Sequence, residues 1–149
     1  MKKLVAVILL AFFYNLNEAK AQVEYKVITV VESIVPGGLG RSRLIESTSD
    51  VDIADFTTER VDGKKSDQGS VKRKDAKIDN LNESKLLNFY SLAGINFQNI
   101  ASNDALITSK MNQLGEEGWE LMFVTSAAES DAGKDDGTGI YITRMIFKK

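Results

Sequence analysis

One stretch of this chain has little conformational choice: Leu114-Gly115-Glu116-Glu117-Gly118-Trp119-Glu120-Leu121-Met122-Phe123-Val124. Ile107, Met111 and Leu114 recur at i, i+4 and i+7, the spacing of one helix face. Asn103 is placed to cap that helix, with Asp104 as its first residue, an acid at the positive end of the dipole. Gly118 falls just past the helix end, where a left-handed residue is needed and glycine adopts it without a Cβ penalty. Leu114 and Trp119 then occupy the two positions whose apolar contact closes a Schellman motif. Beyond the stop the period changes to two. Trp119, Leu121, Phe123 and Thr125 alternate with Glu120, Met122, Val124 and Ser126, as in a strand. A large aromatic at such a corner is expected to plug the core.

The remaining elements attach to this unit. Residues 23–34 read as a strand, with Val23, Tyr25, Val27 and Val31 on one face and Ile28, Val30 and Ile34 on the other. Pro36-Gly37-Gly38-Leu39-Gly40 ends it as a turn. Residues 42–49 and 52–61 are weaker strand candidates, Phe56–Val61 being the better part of the second, and Asp62-Gly63 is a hairpin-type pair. The polar, basic run 64–77 predicts a mobile loop. Leu86, Phe89, Tyr90 and Ala93 recur at helical spacing with Gly94 as the stop, and 95–100 reads as a short strand. Residues 130–139 form a glycine- and aspartate-rich loop. Ile140–Lys148 is the last strand, antiparallel to the one beginning at Trp119.

The fold class that follows is α+β: an antiparallel sheet with a strand–helix–strand–strand core, the helix packed on one face, and a long insertion after the first strand. The three best strands are apolar on both faces. Tyr25, Val27, Trp119, Leu121, Phe123, Tyr141, Met145 and Phe147 group on one side in this reading, and Ile28, Val30, Met122, Val124, Ile140, Ile142 and Ile146 on the other. A single helix covers one face only, so a second layer is expected, from the insertion (its Leu86–Ala93 segment first) or from another subunit.

A family resemblance sits on the same residues. Gln113-Leu114-Gly115-Glu116-Glu117-Gly118-Trp119-Glu120-Leu121 resembles the signature of a small bacterial family, domain of unknown function 4177. The opening strand Val23-Glu24-Tyr25-Lys26-Val27-Ile28 and the finish Gly139-Ile140-Tyr141-Ile142-Thr143-Arg144 are similar to the corresponding parts of that family. The likeness covers about 23–34 and 103–148, and about 36–101 departs from it as the insertion. It implies the fold and no catalytic or binding residue.

The N-terminus points to export. Lys2 and Lys3 precede an apolar run from Leu4 to Phe13, and Ala19-Lys20-Ala21 is a small-x-small site before Gln22. The run is shorter than the ~20 residues that span a bilayer. The expectation is a signal peptide at 1–21 and a single domain at 22–149, periplasmic or secreted, in a bacterium. Losing the leader removes three lysines and one glutamate and takes the net charge from −2 to −4. An acidic chain of that kind is not built to hold nucleic acid.

Composition removes whole classes of chemistry. With no histidine and no cysteine there is no Ser-His-Asp triad, no Cys-His dyad, no thiol redox couple and no ordinary zinc site. Glu116 with Glu117, and Asp135 with Asp136, are the only adjacent carboxylate pairs worth weighing, and adjacent helical residues point apart. Asp131, Asp135 and Asp136 are weak Ca²⁺ candidates, but the EF-hand pattern fails: the sixth and twelfth positions hold Asp136 and Ile142 instead of glycine and glutamate. Gly37, Gly38 and Gly40 with Arg41 and Arg43 can form an anion-binding nest, read against a plain strand-ending turn. No cofactor is implied. The expectation is a non-enzymatic exported accessory protein that binds a protein or envelope component, as a monomer or an oligomer. The alternative is a module for a small ligand, an anion or Ca²⁺.

Overall fold

The computed structural model describes residues 23–35, 41–129 and 139–149. Its centre is a five-stranded antiparallel sheet with one α-helix among the described residues. The strands are β1 (Tyr25–Ser33), β2 (Arg43–Ser47), β5 (Leu81–Lys85), β8 (Glu120–Ala128) and β9 (Ile140–Lys148), in the order β5-β2-β1-β9-β8. Two-residue ladders β3 (Arg60–Val61) with β4 (Lys65–Ser66), and β6 (Tyr90–Ser91) with β7 (Gly94–Ile95), stand apart from the sheet. The helix α1 runs from Phe97 to Glu116.

The junction between α1 and β8 forms as its residues require. Trp119 N–H donates to the Leu114 carbonyl at 2.9 Å and Gly118 N–H to the Gly115 carbonyl at 3.0 Å, the two bonds of a Schellman motif. Gly118 has φ +88°, in the left-handed region, with only the Lys149 side chain near the position of a Cβ. Leu114 is fully buried. Trp119 packs against the core but is only half-buried, with the Lys26 ammonium 4.8 Å from its ring centre. It seals the end of the core as a cation–π platform, and β8 begins one residue after it.

The core lies on one side of the sheet. Ile28 and Val30 of β1, Leu44 of β2, Met145 and Phe147 of β9, Leu86 and Leu114 are buried together, with Ile107 and Met111 of α1 packed against them. Register explains the grouping: Ile28 pairs with Met145, and Val30 with Leu44. Within β1 and β9 the alternation read from the sequence holds; the grouping between strands does not. Met145 and Phe147 share a face with Ile28 and Val30, whereas Tyr25 and Val27 share theirs with Ile142 and Ile146. A one-residue slip exchanges the faces, and strands apolar on both sides do not fix the slip by pattern. A bulge adds a further inversion. Leu121 pairs with Phe147 and Phe123 with Ile146, so Met122 is an extra residue and Phe123 crosses to the side opposite Leu121.

Several other expectations are corrected. The helix begins seven residues earlier than Asp104: Asn96 is its cap, accepting from the Gln98 and Asn99 amides at 3.1 and 3.2 Å. Both asparagines carry a capping side chain, and tertiary contacts use Asn103 differently. The Leu86–Ala93 segment is not a helix. Leu86 continues from β5, its amide bonded to the Ser42 carbonyl at 3.1 Å, and Tyr90–Ile95 is a hairpin. Its apolar residues serve a sheet edge and a turn, where helical spacing is coincidental. Residues 97–100 are helix and not strand. Most of 52–61 is irregular, holding a 3-10 turn at Ile53–Phe56 capped by the Asp52 carboxylate. The Asp62-Gly63 turn is present, both residues left-handed with φ +52° and +64°, within a three-residue loop, 62–64, that joins the paired Val61 and Lys65. Leu86 packs on the helix side, so the segment expected first to supply the second layer does not supply it.

Candidate functional site

The second side of the sheet is open among the described residues. Its rows are set by register: Tyr25 beside Lys148 and Glu120; Val27 beside Ile146 and Phe123; Thr29 beside Arg144 and Thr125; Val31 beside Ile142 and Ala127. Ile45 and Leu81 extend it across β2 and β5. Tyr25 is 64% exposed, Phe123 59% and Val27 45%. A solvated sheet face normally carries polar residues at alternate positions. This one carries six or more large apolar side chains in adjoining rows, the pattern of an interaction surface.

Arg144 stands in the middle of that surface. It is exposed and makes no hydrogen bond or ion pair among the described residues. Its strand partners are Thr29 and Thr125. Around the rim Arg43 is bonded to Glu83 at 2.7 Å and Lys148 to Glu120 at 3.2 Å, and Lys85 is on the same side. The face thus holds four basic groups against two acidic ones, in a chain whose net charge is −2.

The edge strand β8 is exposed along its whole length and on both faces, Leu121, Met122, Phe123 and Val124 included. The core helix sits over β1, β2 and β9 and leaves β8 bare. Between Glu120 and Ala128 the strand has no charge and no proline. The opposite edge, β5, reads Leu-Asn-Glu-Ser-Lys and carries Glu83 and Lys85. Charged side chains are a common protection of sheet edges against pairing. β5 has them, and β8 has only the bulge at Met122.

On the helix side, Glu46 is 8% exposed and sits between two ammonium groups, Lys110 of α1 at 2.7 Å and Lys26 of β1 at 2.9 Å. Burial pushes its carboxyl up, and the two lysines more than offset that, so it is held below the usual carboxylate range. A general base works best with a pKa near the operating pH; Glu46 is tuned the other way, as a tie between helix and sheet. Burial raises the Glu32 carboxyl, the Asn103 amide at 2.9 Å opposes the rise, and Asp104 adds to it.

The Glu46 tie has a pH signature. Its folded pKa lies below its unfolded value of about 4.5, so its contribution is complete at neutral pH and disappears as pH falls through the folded value. The Glu46→Gln variant is expected to be about 2 kcal/mol less stable than the native chain at neutral pH, as a charge-assisted pair is lost. The gap closes as acid protonates Glu46. Glu32 acts in the opposite sense, since its raised pKa favours the protonated folded state. Urea unfolding of both chains at pH 7 and at about pH 3 checks this; a constant gap would refute it.

The residues singled out from sequence do not converge on one site among those described. Gly37, Gly38 and Gly40, and Asp131, Asp135 and Asp136, lie outside the described residues. Arg41 is exposed, and Arg43 belongs to β2 and spends its guanidinium on Glu83. Glu116 and Glu117 are an exposed helix end, Glu117 accepting from the Gln113 side-chain amide at 3.0 Å. The run 64–77 is exposed except at the half-buried Val71, with β4 and a 3-10 turn at Gln68–Ser70. A shallow depression of about 280 Å³ is lined by Asp50, Asp52, Asp55, Asp75 and Asp79. No group of the described residues is arranged to hold a metal ion. Glu46 and Arg144 are not singled out by the sequence as site residues, and Asn103 is read there only as a helix cap. The available signal was period: a charged residue two places from Leu44, and one two places from Ile142 and Ile146, each within an apolar stripe.

These observations define a class: a small α+β sheet protein that has, among the described residues, one covered face, one open apolar face and one unprotected edge. Comparison with protein-family models, with curated proteins and with solved structures gives no match. No helix among the described residues is long and apolar enough to cross a membrane.

Proposed function

We propose that this chain is a non-enzymatic binding protein, exported by its N-terminal leader, that docks a protein partner on the open face of its sheet. The observation that carries the reading is the apolar field around Arg144, made by the exposed Tyr25, Val27 and Phe123 with the half-buried Ile142 and Ile146. Folding leaves this area in water, and burial of apolar area is the main driving force of association. The lack of histidine and cysteine, and the tuning of Glu46 away from neutral pH, favour binding over catalysis. The leader and the resemblance of Gln113–Leu121 to domain of unknown function 4177 support a bacterial envelope or secreted setting. The small-ligand and ion alternatives rest on loops outside the described residues and on Arg43, which Glu83 already engages.

The test is position-specific photo-cross-linking in cells that export the chain. A cross-linker at Val27 or Phe123 is expected to trap a discrete adduct. One at Leu92, more exposed at 93% but remote from the face, is expected to trap none. Equal yields at all three sites, or none anywhere, sink the docking surface. An N-terminus other than Gln22 on the exported protein would sink the leader assignment.

A further inference from the structure

We infer that the partner contributes an extended acidic strand that adds to the β8 edge, with a carboxylate opposite Thr125 held by Arg144. The inference rests on the open face being the docking surface, and names the chemistry that fits it.

Three observations converge. First, β8 offers a nine-residue row of backbone groups with no interior charge or proline, while β5 at the other edge carries both signs of charge. An added strand satisfies such a row by main-chain hydrogen bonds. Second, the pairing of Thr125 with Arg144 places the arginine one strand in from the edge. A strand added outside β8 would lie about 10 Å from β9, two strand spacings. An arginine and a glutamate side chain extended towards each other close that gap over Thr125. Third, the rows on either side are apolar: Phe123 with Ile146, and Ala127 with Ile142. The partner strand therefore carries one acid on this face, with apolar residues two places before and after it.

The same observations discriminate among occupants. A second copy paired through β8 along its full length puts its axis at Val124, so Thr125 faces Phe123 of the other copy and Arg144 gains no carboxylate. Stacking two open faces brings two net-positive surfaces together. A membrane surface supplies anions and apolar contact, but hydrocarbon cannot satisfy the backbone groups of a sheet edge. Only an acidic strand answers the edge, the apolar rows and the cation together. The arginine, able to grip a carboxylate with two parallel bonds, would set the specificity.

The experiment uses the full-length chain and a labelled nonapeptide, Ser-Thr-Val-Thr-Glu-Thr-Val-Thr-Ser, blocked at both ends. Anisotropy reads binding, and the emission of Trp119, the single tryptophan and the residue just before β8, gives a second readout. The glutamate peptide is expected to bind at least tenfold more tightly than its lysine counterpart, and less tightly as salt rises. Arg144→Glu should reverse that preference, and Arg144→Gln should abolish it without changing the melting temperature. Peptides N-methylated at alternate residues, in both phases, should include one that no longer binds. Equal affinity for the two peptides, or indifference to Arg144→Glu, overturns the carboxylate assignment. Unimpaired binding by both methylated peptides overturns strand addition. Failure of every peptide overturns the proposal, as does a dimer through β8 in sedimentation or binding that requires phosphatidylglycerol vesicles. If the Val27 and Phe123 adducts persist while the peptides fail, the docking surface stands and only the strand chemistry falls.

Discussion

Replacing Leu114 with alanine is expected to lower stability by about 3 kcal/mol, within the 2–5 kcal/mol usual for buried leucines. Leu114 is fully buried, and it is the helix residue at the centre of the core that Ile28, Val30, Met145 and Phe147 form on the sheet. Its carbonyl also receives the Trp119 amide at 2.9 Å. Alanine keeps that backbone bond and leaves a cavity of several carbon atoms between helix and sheet. Trp119, which packs against the same buried cluster, loses part of its support, so β8 should loosen at its start. Thermal unfolding is expected about 10 °C lower, with a blunted change in Trp119 emission. A loss under ~1 kcal/mol would mean that the helix packs elsewhere, since that is the range of an exposed site.

The Asn103→Leu variant is expected to lose about 3 kcal/mol for a different reason. Asn103 is fully buried in the middle of α1. Its side-chain oxygen accepts from the Leu87 amide at 2.8 Å, and its nitrogen donates to the Leu87 carbonyl at 2.8 Å and to Glu32 at 2.9 Å. One side chain thus completes the backbone polar groups of the segment that leaves β5 and fastens that segment to helix and β1. Leucine fills the volume and leaves a buried donor and acceptor unpaired, each worth about 1–3 kcal/mol. Asn103→Asp separates the two halves of the argument. It retains the acceptor for Leu87 N–H but sets a carboxylate against the Leu87 carbonyl and Glu32. Its pKa should be raised, so it should recover stability as pH falls, while Asn103→Leu should not. Parallel melts of the two variants at neutral and acid pH decide it.

Asn103 also shows how far the sequence could be read. Its side chain suits a helix cap, and the apolar periodicity does become strong only after it. The cap is Asn96 instead, because residues 97–102 lie along the protein surface, where helical phase need not be apolar. The register of the sheet was hidden for a related reason. Both faces of β1, β8 and β9 are apolar, so any pairing of their phases looked acceptable, and the bulge at Met122 reversed one of them. The open face itself was foreseeable as an excess of apolar surface over the one helix able to cover it; its composition was not.

The sequence by itself determined the local and the strictly periodic: the stop at Gly118, the Leu114–Trp119 closure, the spans of β1, β2 and β9, the Asp62-Gly63 turn and the α+β class. Each follows from residues within a few positions of one another, where backbone freedom and period decide. The tertiary structure alone decided which strand faces share a side, where the helix starts, why Asn103 and Glu46 are buried, and that Arg144 stands among apolar rows on a face that the described residues leave open. Those depend on pairings between residues as far apart as Glu32 and Asn103, or Glu46 and Lys110. No local propensity encodes such a pairing; it is selected by the burial that the whole sheet achieves at once.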